Sequence, residues 1–295
     1  MGQPTVTGLS NHMKSSDRSS CFQPSGPNRP VWLVLVMMIF ATGSTIAADF
    51  ASEVMAATAK FYDPDSTSTS FLVKREAPDT GTYLVTTAHT LERTKNATAV
   101  LVLREANPDG SYRRRDHTIT IRKDAKPLWV RHEKQDVAVL RLGDPLPVAV
   151  AALPLSRLAG TAALARAGVH ICGPLFVLTY PQRFEANGAG FPVARQGIFA
   201  SPPELPSATH PTYLADFTTF AGDSGGPVFI DGENNHPLIV GIVLAQHHHE
   251  DKIKTEYEER VIKHPLNLGT VLHARYILDT IEAAAKPATA ALPVK

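Results

Sequence analysis

Short extended runs, each closed by a turn signal, fill most of the chain after residue 60, and this punctuation decides the fold class. Phe71–Val73 and Thr82–Thr86 flank a Pro-Asp-Thr-Gly turn. Ala99–Leu103 and Thr118–Ile121 flank Asn107-Pro-Asp-Gly110, a turn whose residues favour tight backbone reversal. Val137–Leu142 follows, and then a Pro/Ala/Leu-rich connection near 144–166. A second series runs through 169–179, 194–200, 212–217, 226–230 and 238–245. Many short strands with regular turns predict a sandwich or barrel rather than a parallel α/β sheet. Helical periodicity is rare. Residues 49–60 fit a short helix capped by Asp49 or Ser52, and Leu272, Tyr276, Ile277 and Ile281 place an amphipathic helix over 272–285. The Pro/Ala-rich tail 286–295 is expected to fray.

The N-terminus has a different character. Lys14, Arg18 and Arg29 lie in a polar leader, Val31 to Ala41 is apolar throughout, and small residues follow to Ala48. This is the three-part pattern of an export signal, with cleavage after Ala47 or Ala48; the alternative is an uncleaved membrane anchor at 31–48. The expected location is therefore periplasmic or secreted, or else membrane-anchored. Of two cysteines, Cys21 lies in the leader, so Cys172 has no partner after cleavage and is expected as a small buried residue. Such a fold rests on its core rather than on disulfides. The net charge of +1 carries no nucleic-acid footprint. The expected division is leader or anchor 1–48, an N-terminal β-domain 49–150, a C-terminal β-domain 151–271, and helix and tail 272–295.

Three stretches carry chemistry. In Leu84-Val-Thr-Thr-Ala-His89 an apolar strand ends just before a histidine, and in Gln135-Asp136-Val-Ala-Val-Leu an acid opens an apolar run. The third is Ala221-Gly-Asp-Ser224-Gly-Gly-Pro-Val-Phe229. A serine hydroxyl is a weak nucleophile that needs an adjacent base, and small neighbours let a substrate backbone approach. Glycine permits successive N–H groups to point at one spot, so those of Gly222 and Ser224 are candidates for holding a developing oxyanion. A neutral histidine takes the serine proton while an ionised aspartate fixes its tautomer.

These stretches resemble the signature regions of chymotrypsin-like serine peptidases, and Ser70-Phe-Leu-Val…Tyr83-Leu-Val-Thr-Thr-Ala-His89 is most similar to the bacterial high-temperature-requirement (Deg) type. The likeness covers about residues 55–285, with 47 residues from His89 to Asp136 and 88 from Asp136 to Ser224. It implies an all-β fold of two antiparallel six-stranded barrels with a C-terminal helix, no PDZ-like domain, and a catalytic triad of His89, Asp136 and Ser224 in the cleft. It implies serine endopeptidase activity on polypeptide substrates, with no cofactor and no metal. By the same resemblance the base of the substrate pocket lies at Thr218, with Thr219 adjoining it, and 241–246, with Val243 and Leu244, form the flanking strand. An uncharged base disfavours an arginine or lysine preference and leaves apolar, polar or acidic side chains open. The resemblance also departs from animal relatives, in which a new N-terminus pairs with the acid before the serine. No such activation sequence stands near residue 49, so Asp223 needs another partner. An alternative reading is an inactive protease-like module that binds peptides or a partner at the cell envelope. His247-His248-His249 with Glu250 and Asp251 suggests a metal, but adjacent strand side chains point apart, and a solvated loop at the pocket rim is expected. Arg113-Arg114-Arg115 reads as a solvated hairpin tip.

Overall fold

The computed structural model describes residues 49–76, 80–143, 146–148 and 150–286. The leader with Cys21 and the apolar run 31–48, part of the Pro-Asp-Thr-Gly turn, and the tail from 287 lie outside the described residues.

The first half begins with α1 (Phe50–Ala57), whose N-cap Asp49 accepts the Ser52 N–H, as the capping pattern predicts. The helix is shorter than expected, because Thr58 already starts a strand. The strands are β1 (Thr58–Tyr62), β2 (Thr67–Arg75), β3 (Gly81–Thr86), β4 (Thr98–Ala106), β5 (Tyr112–Thr120), β6 (Arg122–Lys123), β7 (Lys126–Pro127), β8 (Val130–Arg131), β9 (Ala138–Leu142) and β10 (Leu153–Pro154), with α2 (Ala88–Arg93) after β3. They form a sheet of order β5-β4-β1-β2-β3-β9-β8, with β10 parallel to β2 and β6-β7 as a separate pair. Among the described residues the hydrogen bonds of this half make an eight-stranded sheet rather than a closed ring of six.

The second half holds α3 (Thr161–Arg166), β11 (Pro174–Thr179), β12 (Val193–Phe199), β13 (Thr212–Asp216), β14 (Pro227–Asp231), β15 (Pro237–Lys254) and β16 (Glu259–His273). Its six strands close a barrel in the order β11-β12-β13-β16-β15-β14. The last described element is α4 (Arg275–Ala285), which buries Tyr276, Ile277 and Ile281. Leu272, assigned to this helix from its spacing, belongs instead to the last barrel strand, buried opposite Ile242 and Thr212.

The apolar runs at 71–73, 82–86 and 137–142, read as strands, belong to strands buried on both faces. Leu72, Leu84, Ala138 and Leu140 point into the core of the first sheet. Their neighbours Phe71, Val73, Val85, Val137 and Val139 point the other way, into a second core shared with the closed barrel, α1 and α4. A period of two thus joins the halves through the middle strands. Two cations reinforce the join. Buried Arg104 donates to the carbonyls of Met55, Ala56, Thr58 and Gly190 and to Tyr180 Oη. Lys60 Nζ meets Glu185 at 2.7 Å and the Arg183 carbonyl at 2.8 Å. Together they fix the loop between β11 and β12 against the first sheet. Arg114, expected at a solvated tip, also grips Glu185 from within β5.

Candidate functional site

β3 pairs with β9 so that Thr86 lies opposite Ala138. His89 follows the end of one strand and Asp136 precedes the start of the other, so this register alone brings them together. Asp136 Oδ2 lies 2.6 Å from His89 Nδ1, and Oδ1 accepts the His89 backbone N–H at 2.9 Å. The carboxylate therefore fixes both the ring and the turn that carries it. Burial pushes the Asp136 carboxyl up, but the bonds from the His89 ring and backbone outweigh this and hold it below the usual carboxylate range. The other ring nitrogen, Nε2, has Thr87 Oγ1 at 3.4 Å as its hydrogen-bond neighbour.

Ser224 stands in the turn between β13 and β14 and shares with His89 and Asp136 a cleft of about 550 Å³. Its hydroxyl donates to the Leu244 carbonyl at 3.0 Å, not to His89. The serine hydroxyl is thus parked against β15.

The backbone around it is held from behind. In a trans peptide the C=O and the following N–H point in opposite directions. The Ala221 carbonyl is tied by the Gln182 N–H at 2.6 Å and the Asp223 carbonyl by the Gly226 N–H at 3.0 Å. The N–H groups of Gly222 and Ser224 consequently face away from these ties. Among the described residues neither donates to another protein group. Thr69 of β2 locks the same turn from the first half. Its N–H donates to the Ser224 carbonyl at 3.0 Å and its hydroxyl to the Gly222 carbonyl at 2.8 Å. The glycines are required here. Gly222 has φ +99° and a Cβ would fall 2.4 Å from the Tyr180 carbonyl; at Gly225, φ +89°, it would fall 2.0 Å from the Thr69 carbonyl.

Asp223, only 2% exposed, has the partner that sequence could not name. Arg195 of β12 donates Nη2 to Asp223 Oδ1 at 2.6 Å. Thr179 Oγ1 donates to the same oxygen at 2.8 Å, and the Phe220 N–H to Oδ2 at 2.7 Å. Arg195 also reaches Thr179 Oγ1 and the Thr218 carbonyl, and its guanidinium stacks 5.4 Å from the Phe217 ring. A buried carboxylate beside the serine is therefore neutralised from within the barrel. Arg195, Thr69, Thr179 and Gln182 carried no sequence signal, since each acts through a contact remote in sequence.

Of the expected pocket residues, Thr219, Val243 and Leu244 line the cleft, joined by Gln246, His248 and Thr270. Thr218 does not. It is exposed, and only its carbonyl takes part, as an acceptor for Arg195. Thr219 is fully buried and its hydroxyl has no partner. The three adjacent histidines diverge: His247 turns to Thr270, His248 to Glu250 and His249 to Asp251. They lie on a long β-hairpin rather than in a loop. Cys172, expected to be buried, is exposed at φ +65°.

A family model described as the trypsin-like peptidase domain matches residues 68–242. Among solved structures the chain is similar to Rv3671c from M. tuberculosis H37Rv, a serine-to-alanine mutant in its inactive form. The identity is 16% and the TM-score 0.43, over 85% of this chain and 95% of that one. No curated protein sequence matches this one.

Proposed function

Because this chain belongs to the trypsin-like peptidase domain family, we propose that it is a serine endopeptidase acting through His89, Asp136 and Ser224 and an acyl-enzyme intermediate. The observation that carries the reading is the double hold of Asp136 on His89, through Nδ1 and the backbone N–H, in the cleft that Ser224 lines. With Nδ1–H donating to the carboxylate, Nε2 is left as the basic nitrogen. Substrate entry displaces the Ser224 hydroxyl from the Leu244 carbonyl and turns it toward Nε2. Oγ attacks the peptide carbonyl as its proton passes to His89, and the N–H groups of Gly222 and Ser224 receive the developing oxyanion. His89 then protonates the leaving amine. Water, activated by the same imidazole, hydrolyses the ester.

The cleft offers no free carboxylate to a cationic side chain before the cut, since Asp136 is engaged by His89 and Asp223 by Arg195. Gln246 and Thr270, which line the cleft with Val243 and Leu244, suit a small or polar uncharged side chain there. The reading includes export of the chain by residues 31–48, cleaved or retained as an anchor. A second reading, a peptide-binding module without turnover, is favoured only by the bond from Ser224 Oγ to the Leu244 carbonyl. Labelling with a fluorophosphonate, mapped by mass spectrometry, separates the two. Modification of Ser224 together with casein hydrolysis, both lost in Ser224→Ala, supports the peptidase. Folded protein that never labels overturns it.

A further inference from the structure

The long hairpin of the closed barrel has a role left over. β15 pairs with β14 only as far as Ile242. From Ala245 to Lys254 it keeps one hydrogen-bonded neighbour, β16, and its other edge is unpaired among the described residues. That edge starts inside the catalytic cleft, because Leu244, Ala245, Gln246 and His248 line the cavity with His89 and Ser224. It then leaves the body of the protein with every residue from Ala245 to Lys254 exposed. Register shifts near Leu244 and Gln246 set off an outer arm, His248–Lys254, that pairs without interruption with Pro265–Glu259. At about 3.3 Å per residue this arm extends the edge by roughly 23 Å.

We infer that the outer arm of this edge, His248–Lys254, prolongs the substrate-flanking strand into a docking strand for substrate residues far upstream of the scissile bond. The inference rests on the peptidase reading of the same cleft. A row of unpaired backbone groups is a template for strand addition, with main-chain bonds supplying affinity and little dependence on sequence. Direction follows from chain polarity. β15 runs outward from Leu244, where Ser224 rests, so a strand added in the more stable antiparallel sense runs inward and delivers its C-terminal end to the serine. The outer arm then faces about the fifth to the eleventh residue before the cut, at one substrate residue per strand position. Only an unfolded or extended polypeptide can present that length.

Charge refines the partner. His248, Glu250, Lys252 and Lys254 alternate onto one face of the arm, with Glu259 and Lys263 beside them. Glu250 is bridged by both His248 and Lys263. Among the described residues Lys252, Lys254 and Glu259 make no ion pair, so the face keeps a net positive balance that favours acidic over basic side chains in the docked segment. The same lysines repel a second copy of the hairpin, which keeps an open edge from self-pairing.

Nested peptides sharing one cleavage site, with four to twelve residues before it, test this. The protein carries either the full hairpin or a shortened one, in which an Asn-Gly turn replaces 249–264 and joins the paired positions His248 and Pro265. For the native protein kcat/KM is expected to rise about tenfold or more with upstream length, mainly through KM, and the rise should vanish in the shortened variant while the shortest peptide is cleaved equally well by both. A second variant, Lys252→Glu with Lys254→Glu, leaves the hairpin whole and should reverse the preference between acid-rich and base-rich upstream segments. Cleavage independent of upstream length, or an equal gain in the shortened protein, overturns the docking strand and leaves the peptidase standing. Binding of the fluorescent peptides to Ser224→Ala keeps the two ideas apart. Length-dependent binding lost on shortening, with no cleavage by the native protein, would retain the docking strand and refute the peptidase.

Discussion

Arg195→Met isolates the ion pair behind the serine. Methionine keeps an unbranched apolar stem of comparable length, so packing changes little while the charge is removed. Asp223, 2% exposed, is left with the Thr179 hydroxyl and the Phe220 N–H as partners. Removing one member of a buried pair costs about 3–5 kcal/mol, because the other charge stays uncompensated. The carboxylate can relieve this by taking a proton or by swinging toward water, and swinging carries with it the backbone between Gly222 and Ser224. If the whole cost falls on that turn, its competent population drops about 10²- to 10⁴-fold. The second-order rate of fluorophosphonate labelling at Ser224 reads this population directly. Arg195→Lys keeps the charge without the planar fork that reaches Asp223, Thr179 and the Thr218 carbonyl, and should fall between. Adding Asp223→Asn to Arg195→Met removes the bare charge and should recover labelling at least in part. Wild-type labelling by Arg195→Met despite a lowered Tm would refute the reasoning, reducing the pair to a structural contact. So would a double variant slower than the single one.

Three further outcomes follow from the site and the core. Asp136→Asn should lower kcat by about 10⁴-fold with little change in KM, because the wrong His89 tautomer is held, and progress curves on a peptide ester would measure it. Thr69→Val, nearly isosteric, removes the hydroxyl bonded to the Gly222 carbonyl and the Tyr180 N–H and should cost about 1–3 kcal/mol of stability in denaturant titrations, with slower labelling of Ser224; Thr69→Ser should restore both. His273 is buried with neither ring nitrogen bonded, and burial pushes its pKa down to about 4. The unfolded chain takes up a proton near the ordinary imidazole value and the folded one only near 4, so stability rises with pH across that window and is lost as pH falls through it, by up to about 3 kcal/mol from this group. His273→Leu should flatten that part of the Tm profile, and an unchanged slope would exclude His273 as its source.

What was legible in the sequence was local. The His89, Asp136 and Ser224 stretches stood out because each needs a particular neighbourhood: a strand end, a strand start, a turn of glycines. The middle strands were legible as continuous apolar runs, since a strand covered on both faces exposes no polar alternation. β15 was read only to Ala245, because the exposed run from His247 to Lys254 holds a single apolar residue, Ile253, and so shows no alternation, although its backbone continues the ladder. The last helix was begun too early for the opposite reason. Leu272 fits a helical spacing, but its burial comes from the barrel. Cys172 misled through composition, its residue type being usually buried while its place here is an exposed turn with positive φ.

The supports of the serine turn were out of reach for a more general reason. The carbonyl ties come from Gln182 and Thr69, and the counter-charge from Arg195, at separations in sequence that no local pattern encodes. Each is itself fixed by a larger element: Gln182 by the loop that Arg104 and Lys60 staple to the first sheet, Thr69 by the β1–β2–β3 ladder, and Arg195 by the closed barrel. Orientation of the two unpartnered N–H groups is therefore a property of the folded whole, and a motif can announce the turn without its geometry. The same layout answers the absence of an activation sequence near residue 49. The position beside Asp223 is already filled by a guanidinium anchored at three further points, the Thr179 hydroxyl, the Thr218 carbonyl and the Phe217 ring. A new N-terminal ammonium would have no vacant charge to neutralise.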